Sequence, residues 1–248
     1  NITMENTRAK TTRNSLILLL TATIWGMAFV SQSKGMDYMH PFTFNGVRSL
    51  IGAAGILIYI LISRKIAGDK AAKLDWKLNV KAGLLCGIFL TIASTLQQFG
   101  IKYTSVGKAG FITTLYIIFV PMFGIFLKKK VAPVVWAAAG MAAVGMYLLC
   151  MTESLRLGAG DIMVFLCAIA FAIQIMTVDH YAASIDGAVV SCIQFTVCGV
   201  VCCIGALIWV QPTFGQIQEG LGALLYAGVL SCGVGYTLQI VGQKGLNP

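Results

Sequence analysis

Thr95-Leu96-Gln97-Gln98-Phe99-Gly100-Ile101-Lys102 returns near the end of the chain as Thr237-Leu238-Gln239-Ile240-Val241-Gly242-Gln243-Lys244. Five of the eight positions agree (Thr, Leu, Gln, Gly and Lys) at a constant offset of 142. Both copies close an apolar run, and both hold two glutamines in or beside it. Apolar helices of one protein often share short strings, so one match carries little weight. A second alignment strengthens it. At an offset of 146, Leu20 falls on Leu166, Ala22 on Ala168, Trp25 on Phe171 and Arg48 on Gln194. Internal repetition in an apolar chain points to a transporter built from two related halves.

Composition supports a membrane protein. Of 248 residues, 58% are hydrophobic and 11% charged, against about 25% charged in a soluble domain. Eight apolar stretches approach or exceed the length needed to cross a bilayer: 15–33, 41–63, 82–101, 109–127, 131–151, 162–178, 187–210 and 221–242. Backbone amides in lipid must be bonded internally, and runs this long and uniformly apolar make helices rather than barrel strands. The expected fold is all-α and polytopic. The first run is too long for a cleavable signal and is read as a span.

The net charge of +9 raises nucleic acid as a partner, and the distribution of charge argues against it. With the N-terminus in the cytoplasm, thirteen of the 18 basic residues fall inside: Arg8, Lys10, Arg13, Arg64, Lys65, Lys70, Lys73, Lys77, Lys81, Lys128, Lys129, Lys130 and Lys244. Four fall outside, Lys34, Lys102, Lys108 and Arg156, and Arg48 lies within a span. That asymmetry follows the positive-inside rule. The eight cysteines lie in apolar runs with no histidine at ligand spacing, so neither a disulfide framework nor a metal site is expected.

Several segments together resemble the drug/metabolite transporter superfamily, EamA-type. They are Ile24-Trp25-Gly26-Met27-Ala28-Phe29, Pro41-Phe42-Thr43-Phe44-Asn45-Gly46-Val47-Arg48, Asp75-Trp76, Lys102-Tyr103-Thr104-Ser105-Val106-Gly107-Lys108-Ala109-Gly110-Phe111 and Gly160-Asp161. Their order and spacing carry the resemblance, over essentially the whole chain. It implies ten helices in two inverted five-helix units. Here residues 1–14 read as a basic cytoplasmic N-terminus, 15–151 as the first unit, and 160–248 as a second, inverted unit with three helices. Spans one to three then correspond to spans six to eight. Leu246-Asn247-Pro248 resembles the lead-in to a ninth helix, so the sequence reads as cut short of the last two. The resemblance also implies a plasma or inner membrane location and a mid-membrane cavity lined by spans one, three, four, six and eight. The implied activity is alternating-access movement, most often efflux, of an amino acid, drug or other metabolite. Small multidrug relatives in this superfamily couple to protons through a carboxylate in helix 1, where this chain offers Thr21 and Trp25.

Polar groups deep in a span usually have a function. Arg48 lies roughly 10 Å inside its span at 1.5 Å per residue. It can anchor an anionic group or gate the pathway. It can equally be structural, bonding loop carbonyls or a helix end. Thr91, Ser94, Thr95 and Gln98 fall on one stripe of span three, and Cys232, Tyr236, Gln239 and Gln243 on one stripe of span eight. The repeat maps Gln97, not Gln98, onto Gln239. The two stand about 100° apart on a helix, so which faces the cavity stays open. Interhelical hydrogen bonding is the competing role for both stripes. Trp25 shares a face with Thr21, Ala28 and Gln32, centrally in its span, and reads as a cavity wall or as packing. Gln174 in span six and Tyr116 in span four are further candidate contacts, with Thr113 and Thr114 weaker. Pro121 should kink span four, as a hinge or as curvature. Span five, with Ala139, Gly140, Ala143 and Gly145, reads as a packing helix outside the pathway. His40 and His180 are assigned no role.

A neutral or zwitterionic solute suits these amides, hydroxyls, aromatics and one arginine, and no cofactor is implied. No carboxylate pair, Cys/His pair or metal cluster supports an enzyme. A membrane binding or scaffold protein without transport is the rival reading.

Overall fold

The structure is a computed structural model that describes residues 2–68, 74–126, 132–150 and 158–243. Every described regular element is helical. In order they are α1 (Ile2–Gly35), α2 (Pro41–Ala67), α3 (Trp76–Tyr103), α4 (Val106–Thr114), α5 (Tyr116–Phe126), α6 (Pro133–Cys150), α7 (Ala159–Tyr181), α8 (Gly187–Trp209), α9 (Phe214–Glu219), α10 (Leu221–Leu225), a π-helix (Tyr226–Gly235) and α11 (Tyr236–Gln243). Seven candidate spans result, with α4 and α5 forming one and Leu221–Gln243 another. The expected fifth span corresponds to α6. Its expected end residues, Val131 and Met151, lie outside the described residues, as do Lys70, Lys73, Lys128, Lys129, Lys130, Arg156, Lys244 and the Leu246-Asn247-Pro248 segment. α1 reaches back to Ile2, so the basic N-terminal residues continue the first helix.

Polar caps set the helix starts. Asp75 Oδ1 accepts from Leu78 N–H at 3.0 Å and begins α3 six residues before the apolar run. Asp186 Oδ1 takes the N–H groups of Ala188 and Val189 at 3.0 and 3.2 Å, starting α8. His40 Nδ1 caps α2 through Phe42 N–H, with Pro41 in the first turn, where its missing N–H costs nothing. Asp161 caps α7 by accepting Gly158 N–H at 2.9 Å. These caps satisfy donors that a helix start leaves orphaned.

At the centre, α2 crosses α8, α3 packs on α7 and α8, and the last span packs on α1 and α2. Leu90, Ala93, Phe171, Phe195, Cys198 and Cys232 form the middle of the core. Large side chains such as Leu19, Ile58, Leu61, Leu207 and Trp209 stay exposed on the outside, as a lipid-facing surface requires. α6 is peripheral. Ala139 is buried, but Gly140 and Gly145 face open space, so they do not create the close crossing expected of them.

The two repeat glycines sit at equivalent crossings. A Cβ on Gly100 would collide with Val164 Cγ2 and lie 2.9 Å from the Gly160 carbonyl oxygen, on α7. One on Gly242 would lie 2.8 Å from Leu18 Cδ2 and Cγ, on α1. Leu18 and Val164 are themselves 146 apart, the offset that aligns α1 with α7. Gly100→Ala should therefore destabilise the detergent-solubilised protein by about 1–3 kcal/mol, since the obstructing atom is backbone. Gly242→Ala should cost less, because Leu18 can change rotamer. Equal melting-temperature losses in the two variants would contradict this account of the crossings.

Candidate functional site

A cavity of about 450 Å³ opens between the halves, within the range of small-molecule sites. Trp25, Ala28 and Gln32 of α1 line it, with Arg48 and Ser49 of α2 and Ser94 and Gln97 of α3. Thr113 and Tyr116 border it from α4 and α5, Phe171 and Gln174 from α7, and Phe195 from α8. Ser231 and Cys232 of the π-helix and Tyr236 and Gln239 of α11 complete that wall. Trp25, Arg48, Ser94, Tyr116, Gln174, Tyr236 and Gln239, all expected as contacts, thus share one cavity.

Thr91 and Gln98 do not line it. Thr91 Oγ1 donates to the Gly87 carbonyl at 2.6 Å, within its own helix. Gln98 is fully buried, and its Nε2 donates to the Gln32 carbonyl at 3.1 Å, tying α3 to α1. Gln97 is the cavity residue, and its Nε2 reaches Thr113 Oγ1 at 3.4 Å. The one-helix-step ambiguity thus resolves in favour of the residue that the repeat pairs with Gln239.

Pro121 is buried inside α5 and does not line the cavity. The break between α4 and α5 falls at Leu115, six residues earlier. Apart from Arg48, α2 and α8 were not expected to line the cavity, yet Ser49 and Phe195 do. The π-helix in the last span gave no composition signal. It does leave a trace in spacing: Gly87 and Gly228 are 141 apart, whereas Gly100 and Gly242 are 142 apart. One extra residue therefore enters the last span relative to α3, and a π-helix is how a helix absorbs one. Gly228 packs against Ile51 and the Arg48 carbonyl, and Gly87 against Val197 and Gln194 Cα. Those contact residues are again 146 apart.

The pairing extends to the wall itself. Trp25 and Phe171, Ala28 and Gln174, Phe29 and Ile175, and Ser49 and Phe195 are each 146 apart, and all eight line the cavity. Ser94 with Tyr236 and Gln97 with Gln239, each 142 apart, do the same. The side chains differ in five of these six pairs, Gln97 and Gln239 being the exception, so repeated positions carry an asymmetric site.

Aromatic rings form one side. Trp25 and Tyr236 lie 4.7 Å apart at 52°, and Phe195 meets Tyr236 edge-on at 4.9 Å. Trp25 Nε1 donates to the Ser231 carbonyl at 3.4 Å, so the indole ties α1 to the π-helix. Polar groups face the rest. Gln174 Nε2 donates to Gln194 Oε1 at 3.3 Å, leaving Gln174 Oε1 without a partner. Gln32 Oε1 and Gln239 Oε1 are also buried and unpartnered. Arg48 is 5% exposed, with its guanidinium carbon 5.5 Å from the centre of the Phe44 ring. At the end of the bundle opposite Asn79 and Asp186, Lys108 Nζ meets Asp161 Oδ2 at 3.3 Å, and Thr104 donates to the same carboxylate. This cluster joins α4 to α7 beside the cavity-lining Val106 and Gly107. At the other end, Asp186 N–H donates to Asn79 Oδ1 at 2.8 Å, joining α8 to α3. Among the described residues no group of three or more His, Cys, Asp or Glu could hold a metal ion.

An uncharacterized transporter of Archaeoglobus fulgidus is 30% identical over 171 residues, 66% of this chain and 48% of that protein. The matched part thus spans about half of that relative's length. The uncharacterized transporter YwfM of Bacillus subtilis is 25% identical over 236 residues, 94% of this chain and 77% of its own. A solved crystal structure superposes with a TM-score of 0.72 at 18% identity, covering 94% of this chain and 79% of the other, and shares the fold. The profile of the EamA-like transporter family matches residues 13–151 and 158–248. Spanning nearly all of the chain, with the cavity described above between its matched halves, that agreement makes the protein a multi-pass membrane member of the EamA-like transporter family.

Proposed function

We propose that the chain moves a small organic solute across the membrane through this cavity by alternating access between two inverted units, 15–151 and 160–248. The observation that carries the reading is the paired lining: six residue pairs at the repeat offsets meet around one cavity. Rocking two related units about a shared axis opens such a cavity to one side and then the other. The Lys108–Asp161 contact joins α4 of the first unit to α7 of the second at one end, and has to break when that end opens. The amides and rings suit a zwitterionic or neutral solute with an apolar body, such as an amino acid, drug or other metabolite. Efflux is the direction the family resemblance supports. The distribution of basic residues supports an N-terminus in the cytoplasm, in a plasma or inner membrane.

The test is flux in proteoliposomes loaded with a panel of amino acids and aromatic metabolites. Saturable, protein-dependent release of at least one member is expected. Binding without flux for every member would favour a binding or scaffold protein instead. In intact cells, Lys34→Cys should react with an impermeant maleimide and Lys77→Cys should not, and the reverse pattern would invert the topology.

A further inference from the structure

Arg48 is a permanent charge with an unusual lack of company. It lines the cavity, is 5% exposed, and its Nε has no hydrogen-bond partner. The six acidic residues whose side chains are described, Asp37, Asp75, Asp161, Asp179, Asp186 and Glu219, lie in loops or near helix ends, and none lines the cavity. Among the described residues the one ion pair is Lys108–Asp161, so Arg48 has no salt-bridge partner there. Burying an arginine without a counter-charge is costly, and the neighbouring Phe44 ring offsets only part of that cost. A structural arginine would spend its donors on carbonyl groups. Here Ser49 donates to Cys198 Sγ rather than bridging to the guanidinium. The repeat adds a second observation. The equivalent position in the other unit is Gln194, engaged with Gln174 and carrying no charge. The scaffold therefore works with a neutral side chain at this crossing, and the charge belongs to one half only.

We propose that Arg48 is the anion-recognition point of the cavity and that the transported solute carries a carboxylate or an equally compact anionic group. A guanidinium binds a carboxylate with charge-assisted, directional hydrogen bonds. The unpartnered carbonyl oxygens of Gln32, Gln174 and Gln239 supply acceptors for a donor elsewhere on the same solute. The rings of Trp25 and Tyr236 take its apolar body. That the solute is moved rests on the transport reading, and that it is anionic rests on the cavity alone.

Matched probes test it on the full chain in lipid nanodiscs. Calorimetric titration would compare 3-phenylpropionate with 3-phenylpropanamide, L-phenylalanine with L-phenylalaninamide, and L-leucine with L-leucinamide. In at least one pair the carboxylate should bind at least about tenfold more tightly than the amide, because an unpaired buried donor discriminates against a ligand that leaves it unmet. In Arg48→Gln the ratio should fall to about one while the amide binds as in the wild type, which also shows that the variant is folded. Arg48→Lys should keep part of the preference, because it keeps the charge and loses the fork. If Arg48→Gln does not fold, the wild-type ratios and Arg48→Lys still decide. Equal binding within every pair, a preference that survives in Arg48→Gln, or no binding by any of the three carboxylates overturns the proposal. Flux of the same solutes separates the two readings. Amides moved as readily as carboxylates would remove the anchor and leave transport standing. Carboxylate-selective binding with no flux would keep the anchor and remove transport.

Discussion

Alanine at Tyr236 should reduce saturable flux by more than about tenfold, the equivalent of 1.4 kcal/mol, while Tyr236→Phe keeps most of it. The ring is the hinge of the aromatic wall. It leans on Trp25 at 4.7 Å and receives Phe195 edge-on at 4.9 Å. Aromatic contacts of this kind contribute about 0.5–1.5 kcal/mol each beyond the area they bury. Truncating the ring removes both contacts and widens the cavity where an apolar body would rest. Trp25→Ala should reduce flux similarly but also lower the melting temperature, because its indole N–H holds the Ser231 carbonyl and so ties α1 to the π-helix. Gln174→Ala should show a smaller loss, since it removes one unpartnered acceptor and strands Gln194. The measurement is initial rate against solute concentration in proteoliposomes, with reconstituted protein quantified. Wild-type kinetics in Tyr236→Ala, with Trp25→Ala equally unaffected, would move the solute to another part of the chain.

The sequence read the fold well because lipid leaves few choices. Every long apolar run became a helix, and the repeat string marked the third and last spans as equivalents. Span ends were read short by a few residues wherever a polar cap carries the helix past the apolar run, as Asp75 does for α3. The site was legible to the degree that the repeat reached it. The sequence alone aligns Trp25 with Phe171 and Gln97 with Gln239. The polar stripe named Gln98 and the repeat named Gln97, and only the repeat pointed to the residue that lines the cavity. A stripe says which residues share a face, but not whether that face meets a cavity or a neighbouring helix, and here α1 covers it. The π-helix was hidden for a different reason. It changes neither composition nor polarity, and only a shift of one residue between two glycine pairs records it. Ser49 and Phe195 were missed because α2 and α8 looked like scaffold, and the scaffold itself touches the cavity where the two helices cross.

The remaining expected result concerns energy coupling. A proton-driven antiporter needs a group in the membrane that takes up and releases a proton, usually Asp, Glu or His. Among the described residues the cavity wall holds none of these. Asp161, whose partner Lys108 follows the cavity-lining Val106 and Gly107, is already engaged by Gly158 N–H, Thr104 and Lys108 at the start of α7. Protonating it would sacrifice a helix cap and an ion pair together, so it suits a contact between the two units better than a proton carrier. Facilitated diffusion or solute exchange should follow. In proteoliposomes, solute preloaded on one side should accelerate uptake from the other, and an imposed pH gradient should leave the steady-state distribution unchanged. A gradient that alone drives solute uphill, with accumulation lost when the gradient is collapsed, would refute this expectation. Asp161→Asn separates the two roles within that experiment. If Asp161 only joins the units, the variant should alter the rate of exchange and leave the final distribution of solute where the wild type puts it.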